Sequence, residues 1–269
     1  MKTKLVSAPY LIWMVIFILV PLVMVGYFAF TDSDGNFTLK YVSDVAQYAP
    51  IFIRSIWLAA IATVICLVVA YPVAFILTRM SKNSQSTMLM VVMLPMWMNF
   101  LLRTYAWMTL LGNNGIINKL FDFIGIGSFK MLNTEGAVVL GMVYNYLPFM
   151  ILPLYSVMVK IDKSILEAAA DLGCNSRKTL LKVVFPLSLP GVTSGITMVF
   201  VPAISTFIIS RMLGGGGNLL IGDLIEMQFL GNSYNPNLGA GISLVLMVII
   251  LLIMTIMNQF SDDDDRVLI

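Results

Sequence analysis

Charged and polar side chains gather in one segment of this otherwise apolar sequence, residues 160–183. Its centre reads LEAAADLG and combines two carboxylates with three alanines and a glycine. These residue types form no catalytic set and no metal-ligand set. Alanine and glycine carry little side chain, so a groove of another protein can close over their backbone. We therefore predict a docking helix at Leu166, Glu167, Ala168, Ala169, Asp171, Leu172 and Gly173.

The residues around this run predict a short amphipathic helix with defined ends. Ser164 and Glu167 have the S-x-x-E spacing of a capping box, with Ser164 as the N-cap. Gly173 suits the left-handed position that ends a helix. The apolar residues at three- and four-residue spacing share a face: Ile161, Ile165, Ala168, Ala169 and Leu172. A second interpretation stays open, in which Glu167 only caps its own helix and the segment is a surface turn.

A further helix is expected to follow and to enter the membrane. Asn175 or Ser176 can cap its start. Pro186 should kink this helix about one turn earlier, because proline lacks a backbone donor. Gly191 permits close contact with a neighbouring helix.

Two carboxylates elsewhere have the spacing to hold an amine. Asp223 and Glu226 are three residues apart, so in a short helix they lie on the same face. A solvated helix face explains this spacing equally well. The preceding run Gly214–Gly217 lacks the Lys-Ser/Thr of a phosphate-binding loop, and we interpret it as a hinge.

Aromatic side chains in two apolar segments can line a path for a cation through cation–π contacts. They are Trp97, Tyr105, Trp107, Tyr144 and Tyr146. Helix packing and interfacial anchoring explain any single one of them better. Arg103 lies among them and suits an anion better, unless it pairs with an outer acid or snorkels outward.

The elements that position these residues are apolar helices. The chain has 269 residues, of which 59% are hydrophobic and 11% charged, whereas a soluble domain carries about 25% charged residues. Lipid must therefore surround it. We predict an all-α membrane protein with a single transmembrane domain, 1–269, whose first helix is a retained anchor and not a cleaved signal peptide. A helix that crosses a membrane needs about 20 apolar residues. Six stretches are long enough: 8–30, 55–77, 88–111, 136–159, 184–210 and 238–260.

The distribution of basic residues predicts the orientation of these helices. Most of them fall on one side: Lys2, Lys4, Arg79, Lys82, Lys160, Lys163, Arg177, Lys178, Lys182 and Arg266. Because basic loops stay in the cytoplasm, both termini and residues 160–183 are expected there.

The residue types missing from the apolar stretches exclude several functions. None of the six contains Asp or Glu, the side chains with which ion-coupled carriers bind protons or sodium. The chain has no histidine, and Cys66 and Cys174 fall in different environments, so we expect no metal site and no disulfide. A net charge of +2 does not indicate nucleic acid binding. Uphill transport would therefore need energy from a partner protein.

Residues 167–186 resemble the EAA loop of binding-protein-dependent ABC import permeases. That loop reads Glu-Ala-Ala, three residues, Gly, nine residues, Ile-x-Leu-Pro; here Val183-x-Phe185-Pro186 replaces the last element. The resemblance implies the type I importer permease fold with six spans. It also implies a cytoplasmic coupling helix that docks on an ATPase subunit. ATP and Mg²⁺ would be bound by that ATPase, and no cofactor by this chain.

Four segments, 99–107, 146–155, 166–173 and 217–225, resemble the permeases of spermidine/putrescine importers. This resemblance implies a polyamine substrate, a structural role for Arg103 and a bacterial inner membrane location. The implied partners are a PotA-like ATPase dimer, a PotC-like second permease and a PotD-like extracytoplasmic binding protein. Two alternatives stay open: the same kind of importer for an amino acid, sulfate or ferric iron, and an ion-coupled carrier or channel.

Overall fold

The computed structural model describes residues 8–32, 34–125, 127–231 and 233–265, and these residues form mainly helices. This confirms the predicted all-α architecture. The basic residues Lys2, Lys4 and Arg266, which contributed to the predicted orientation, lie outside the described residues. The α-helices in the described part are α1 Ala8–Met14, α2 Val20–Phe30, α3 Lys40–Asp44, α4 Ala49–Arg79, α5 Lys82–Trp97, α6 Phe100–Leu111, α7 Ile116–Ile124, α8 Glu135–Met158, α9 Lys163–Asp171, α10 Ser176–Thr179, α11 Phe185–Ile204, α12 Ile208–Gly214, α13 Ile221–Leu230 and α14 Pro236–Asp265.

Five helical runs within these residues are long and apolar enough to cross a membrane. They are Pro9–Phe30, Lys40–Arg79, Glu135–Met158, Ser176–Ile204 and Pro236–Met257. Short π-helical or 3-10 turns join α1 to α2, α3 to α4 and α10 to α11 within these runs. The runs Lys82–Trp97 and Phe100–Ile124 form a sixth crossing if the two are counted as one bent span.

The prediction of one continuous helix over 88–111 is wrong. The chain bends by 88° between α5 and α6. Pro95 lies in the last turn of α5, and Asn99 begins the next helix, since its side-chain oxygen accepts hydrogen bonds from the backbone of Leu101 (2.9 Å) and Leu102 (3.3 Å). A proline before a strong N-cap therefore ends one helix and starts another.

The prediction of a fifth span over 184–210 is also wrong at its end. Helix α11 stops at Ile204, and α12 begins separately at Ile208. Pro202 lies in the last turn of α11, and its carbonyl accepts a hydrogen bond from the Tyr146 hydroxyl at 3.2 Å. Thus a proline near a helix end marks both breaks in the membrane region.

The core lies where α4, α8 and α11 pack against one another. Small side chains make this close contact possible. A Cβ on Gly191 would lie 3.0 Å from the Pro153 carbonyl oxygen, and one on Gly195 would lie 2.6 Å from the Met150 sulfur. The close helix contact predicted at Gly191 is therefore confirmed. By contrast, the most apolar part of the first span, α1–α2, has no residue buried within the described protein. Helix α2 packs mainly on α14.

Candidate functional site

Helix α9 is the centre of the polar segment, and Asp162 caps its N-terminus. The Asp162 Oδ1 accepts a hydrogen bond from the Ser164 backbone N–H at 3.0 Å. The predicted capping box with Ser164 as N-cap is therefore wrong. Because the helix begins at Lys163, Glu167 is its fifth residue and lies two positions beyond the third, from which a capping-box side chain reaches back. The interpretation of Glu167 as a cap of its own helix loses its geometric basis.

The hydrogen bonds at this cap also affect its ionisation. The Ser164 backbone N–H, and then the Ser164 hydroxyl, hold the pKa of the Asp162 carboxyl below its usual value of 3.8. Negative charge at a helix N-terminus also complements the helix dipole. Asp162 therefore stays ionised at neutral pH and fixes where α9 starts.

The end of α9 follows the sequence prediction. Gly173 has a left-handed φ of 76°. The Cys174 N–H donates to the Ala169 carbonyl at 3.0 Å and the Gly173 N–H to the Ala170 carbonyl at 2.9 Å, which is the Schellman arrangement. A Cβ placed on Gly173 would meet no atom within 4 Å. The backbone conformation requires glycine here, and the space beside it is open.

The helix after α9 begins as expected, and it contains a π-helical turn near Pro186. Asn175 is its N-cap, with the side-chain oxygen accepting from the Lys178 N–H at 2.9 Å. A π-helical turn, Leu180–Val184, lies directly before Pro186. The wider π turn accommodates a proline ring that would collide with the carbonyl of a regular preceding turn.

The five apolar residues predicted to share a face divide between two environments. Ala169 is buried, whereas Ile165, Ala168 and Leu172 point outward at spacings of three and four residues. Leu172 is 85% exposed and Ile165 41% exposed. Leu166 is half-buried and packs against the hydrophobic core. Leu166 and Ala169 thus anchor α9 to the protein, and the helix presents a narrow apolar stripe that stays exposed among the described residues.

A cavity of about 440 Å³ opens between α9 and the Arg79 end of α4. The Arg79 guanidinium lies 4.9 Å from the centre of the Phe75 ring. Exposed Glu167 and Lys163 place charges of opposite sign on its α9 side. The residues lining it are Phe75, Arg79, Lys163, Leu166, Glu167, Ala170, Cys174, Ser176 and Thr179. Next to the outward stripe, the protein therefore offers charged groups and a recess.

The carboxylates predicted to hold an amine both make contacts within the chain, although Asp223 Oδ1 is buried with no hydrogen-bond partner among the described residues. Asp223 is buried at the start of α13 and accepts a hydrogen bond from the Leu220 N–H at 2.9 Å. Burial raises the pKa of its carboxyl. Glu226 forms a bidentate pair with Arg211, in which Nη1 and Oε1 are 2.9 Å apart. Neither carboxylate is presented to a ligand in this structure.

The aromatic residues predicted to line a path fall into two groups. Trp97 is 76% exposed and Tyr105 54% exposed, on either side of the bend between α5 and α6. Trp107 packs edge-on against Tyr144, with ring centres 5.3 Å apart. Tyr146 is buried and bonded to the end of α11. Trp97 and Tyr105 are therefore the most exposed members of the set.

Arg103 is buried, with 7% of its surface exposed. Its Nη1 donates to the carbonyl oxygen of Pro95. The guanidinium carbon lies 5.8 Å from the centre of the Phe100 ring. The two alternatives of snorkelling outward and pairing with an outer acid are not what the structure shows.

An ionic cluster that the sequence analysis missed ties three segments together. Arg54 Nε donates to Glu135 Oε1 at 2.8 Å, and Arg54 Nη2 donates to the same oxygen at 2.6 Å. The Arg54 guanidinium also contacts the side-chain oxygen of Asn218. Opposite charges at the edges of two predicted spans were the signal that could have revealed it. The cluster joins α4 and α8 to the segment before α13.

The chain matches known proteins over most of its length. Residues 3–262 match the family described as binding-protein-dependent transport system inner membrane component. The chain is 37% identical over 251 residues to the spermidine/putrescine transport system permease protein PotB of Haemophilus influenzae, covering 90% of this chain and 87% of the relative. PotB of Escherichia coli K12 is 35% identical over 248 residues, with 88% and 90% covered.

A solved structure shows the same fold. A chain of a bacterial ABC transporter involved in the import of the acidic polysaccharide alginate superposes with a TM-score of 0.83. The superposition covers 97% of this chain and 95% of that chain at 14% sequence identity. The arrangement of helices described above is therefore that of a type I ABC importer permease.

Proposed function

This chain belongs to the family of binding-protein-dependent transport system inner membrane components, and we propose that it is a permease subunit of an ATP-driven polyamine importer. It is a multi-pass inner-membrane transport subunit. One observation carries the choice of substrate: the 37% identity, over 90% of the chain, to a permease named for spermidine and putrescine.

In this proposal α9 is the coupling helix that docks in a groove of a PotA-like ATPase. The stripe Ile165–Ala168–Leu172 points away from the protein, as a docking surface must. The small side chains beside it allow a groove to approach the backbone. ATP and Mg²⁺ are held by the ATPase, whose closure pushes on α9. The contact residues are Leu166, Glu167, Ala168, Ala169, Asp171, Leu172 and Gly173.

The push reaches the membrane region through the connection between α9 and α11. Asn175 and the Schellman end at Gly173 make this connection short and fully hydrogen-bonded. Helix α11 packs closely on α8 through Gly191 and Gly195. Movement of α9 is therefore transmitted to the core helices with little loss. Since α9 meets a cytoplasmic ATPase in this proposal, both termini are cytoplasmic.

The translocation path in this proposal lies between this chain and a PotC-like second permease. A PotD-like extracytoplasmic binding protein delivers the substrate. Trp97 and Tyr105 offer exposed ring faces, which attract alkylammonium groups through cation–π contacts. Asp223 and Glu226 act instead as structural groups of α13, since both are engaged within the chain.

The test is ATP hydrolysis by the complete complex in nanodiscs, together with its binding protein. The complex is titrated with spermidine, putrescine, sulfate and amino acids. We expect stimulation by the two polyamines and none by the other solutes. Stimulation only by sulfate or an amino acid would replace the substrate and keep the importer. A chain that assembles with no ATPase would contradict the coupling role of α9; the ATPase alone, with each solute, is the control.

A further inference from the structure

The bend between α5 and α6 leaves polar backbone groups in the apolar part of the chain. Lipid offers no hydrogen bonds, so non-helical backbone at membrane depth must be satisfied by protein or face a water-filled cavity. Asn99 satisfies the first amides of α6. At the end of α5, the Pro95 carbonyl accepts from the Met98 N–H at 3.3 Å, which is a long bond.

Arg103 provides the stronger partner for this helix end. Its guanidinium reaches back across the bend, and Nη1 donates to the Pro95 carbonyl oxygen. A cation at the C-terminus of the 16-residue α5 is also favoured by the helix dipole. Because Arg103 is one turn inside α6, its side chain connects the two helices directly.

The charge of Arg103 is turned into the protein. The side chain is 7% exposed, and its Nε has no hydrogen-bond partner among the described residues. Burying a guanidinium with incomplete hydrogen bonding is costly, so its position requires a compensating role. Meanwhile Trp97, which ends α5, and Tyr105, two residues after Arg103, are exposed. A buried cation and two exposed aromatic rings therefore lie close to the bend in the sequence, with Trp97 before it and Arg103 and Tyr105 after it.

We propose that Arg103 is a positioning residue for transport, which holds α5 and α6 at their bend and thereby presents Trp97 and Tyr105 to a cationic substrate. The cationic substrate in this inference rests on the proposed function. The role of Arg103 at the bend rests on the structure alone. It gives the lone arginine of this segment a role that does not involve binding an anion. It also explains how an arginine lies beside a path for cations, because the guanidinium is bonded to a carbonyl at a negative helix end.

The first experiment measures the bend itself. Spin labels are placed at exposed Asn83 in α5 and exposed Ala106 in α6, in a Cys66→Ala, Cys174→Ser background of the assembled complex. Pulsed EPR then gives the distance between them. We expect a narrow distribution with Arg103, a broad or shifted one in Arg103→Ala, and a largely restored one in Arg103→Lys, whose ammonium can reach the same carbonyl. An unchanged distribution in Arg103→Ala would overturn the proposal.

The second experiment measures spermidine uptake by the same variants in proteoliposomes. Loss of one charged hydrogen bond should raise the KM of Arg103→Ala about tenfold, with a smaller change in the maximal rate. The KM of Arg103→Lys should return most of the way to that of the unaltered protein. Arg103→Gln keeps a hydrogen-bond donor without the charge. It is the second variant in case the Arg103→Ala protein does not fold. Arg211→Ala removes an arginine that is paired with Glu226 and makes no hydrogen bond to the bend among the described residues, and it is the control for charge.

The two readouts separate the possible failures. A raised KM with an unchanged distance would make Arg103 a substrate ligand and overturn the positioning role. If the complex with Arg103 does not respond to polyamines, the proposed function fails, while the distance measurement still decides whether Arg103 holds the bend.

Discussion

Helices α7 and α9 are alike in length and in how they end, but they differ in the side chains that they expose and in their bonds to the rest of the chain. Both have nine residues. Each is followed by a glycine with a left-handed φ, 82° at Gly125 and 76° at Gly173. At both glycines a Cβ would meet no atom within 4 Å. The stop signal is therefore the same, and it does not by itself make a docking helix.

The difference lies in what each helix presents. Helix α7 exposes large side chains, with Phe123 89% exposed and Ile116 69% exposed. Helix α9 also exposes one large side chain, Leu172 at 85%, but the middle of its stripe is the small residue Ala168. Helix α7 is also fastened from within the chain, because the buried Asn118 side chain bonds the backbone of Gly112 and Phe129. Small exposed residues let a partner's groove approach the backbone, whereas large ones keep it at a distance.

The strongest test of this comparison exchanges each terminal glycine for tryptophan. Both variants bear the left-handed backbone cost of about 1–2 kcal/mol, and neither collides with its own chain. If a groove closes over α9, Gly173→Trp should lower spermidine uptake about a hundredfold, since overpacking of an interface costs ~3 kcal/mol. Gly125→Trp should change uptake only a few-fold. Uptake into proteoliposomes measures both, and surface labelling checks membrane insertion. Equal losses would remove the distinction between the helices.

A second test compares one carboxylate from each helix. Glu167 lines the cavity beside α9, and Asp122 is exposed on α7. Because a charged hydrogen bond at an interface is stronger than a neutral one, Glu167→Gln should weaken binding of the ATPase about tenfold. Asp122→Asn should leave it unchanged. The Kd of the ATPase for the permease pair in nanodiscs measures this, and an unchanged Kd for Glu167→Gln would exclude a charged contact there.

A third test breaks the internal fastening of α7. Asn118→Ala removes three hydrogen bonds and leaves the Phe129 N–H without its partner, whereas the Gly112 and Phe129 carbonyls still accept from the N–H groups of Gly115 and Met131. We expect the free energy of unfolding to fall by about 1–3 kcal/mol and the Tm to fall with it. Coupling to the ATPase should be preserved, because α9 is untouched. A loss of ATPase binding without loss of stability would show that α7, too, depends on a partner.

The features that the sequence predicted correctly depend on single residues and their neighbours in the chain. Gly173 ends α9, Asn175 caps the next helix, and Gly191 packs closely against α8. The first two depend on backbone conformation or on bonds spanning a few residues, and the third on a residue without a side chain, so residue type and spacing are enough to predict them. Even here, one local prediction was wrong: the N-cap of α9 is Asp162 and not Ser164. Both residue types are good N-caps, and they lie two residues apart.

The features that it missed depend on contacts between distant residues. Apolar composition alone gave no sign that α5 and α6 are separate helices joined through Arg103 and Pro95. Nor did spacing show that Glu226 is paired with Arg211, fifteen residues away. A polar side chain looks equally available in the sequence whether a partner occupies it or not. Only the folded chain distinguishes exposed Glu167 from buried Asp223.

The smallest expected effect concerns the starts of the two helices. Helix α9 begins at a titratable cap, whereas α7 follows Gly115 and has no side-chain cap. Since the pKa of Asp162 is lowered in the folded protein, its contribution to α9 is present above the unfolded value of 3.8 and is lost as pH falls through the folded pKa. Amide hydrogen exchange, corrected for intrinsic rates, should therefore show protection of α9 falling a few-fold below pH 3.8, while α7 is unaffected. Asp162→Asn keeps the cap without the charge and should remove this pH dependence. An equal loss in both helices, or in Asp162→Asn, would place the titrating group elsewhere.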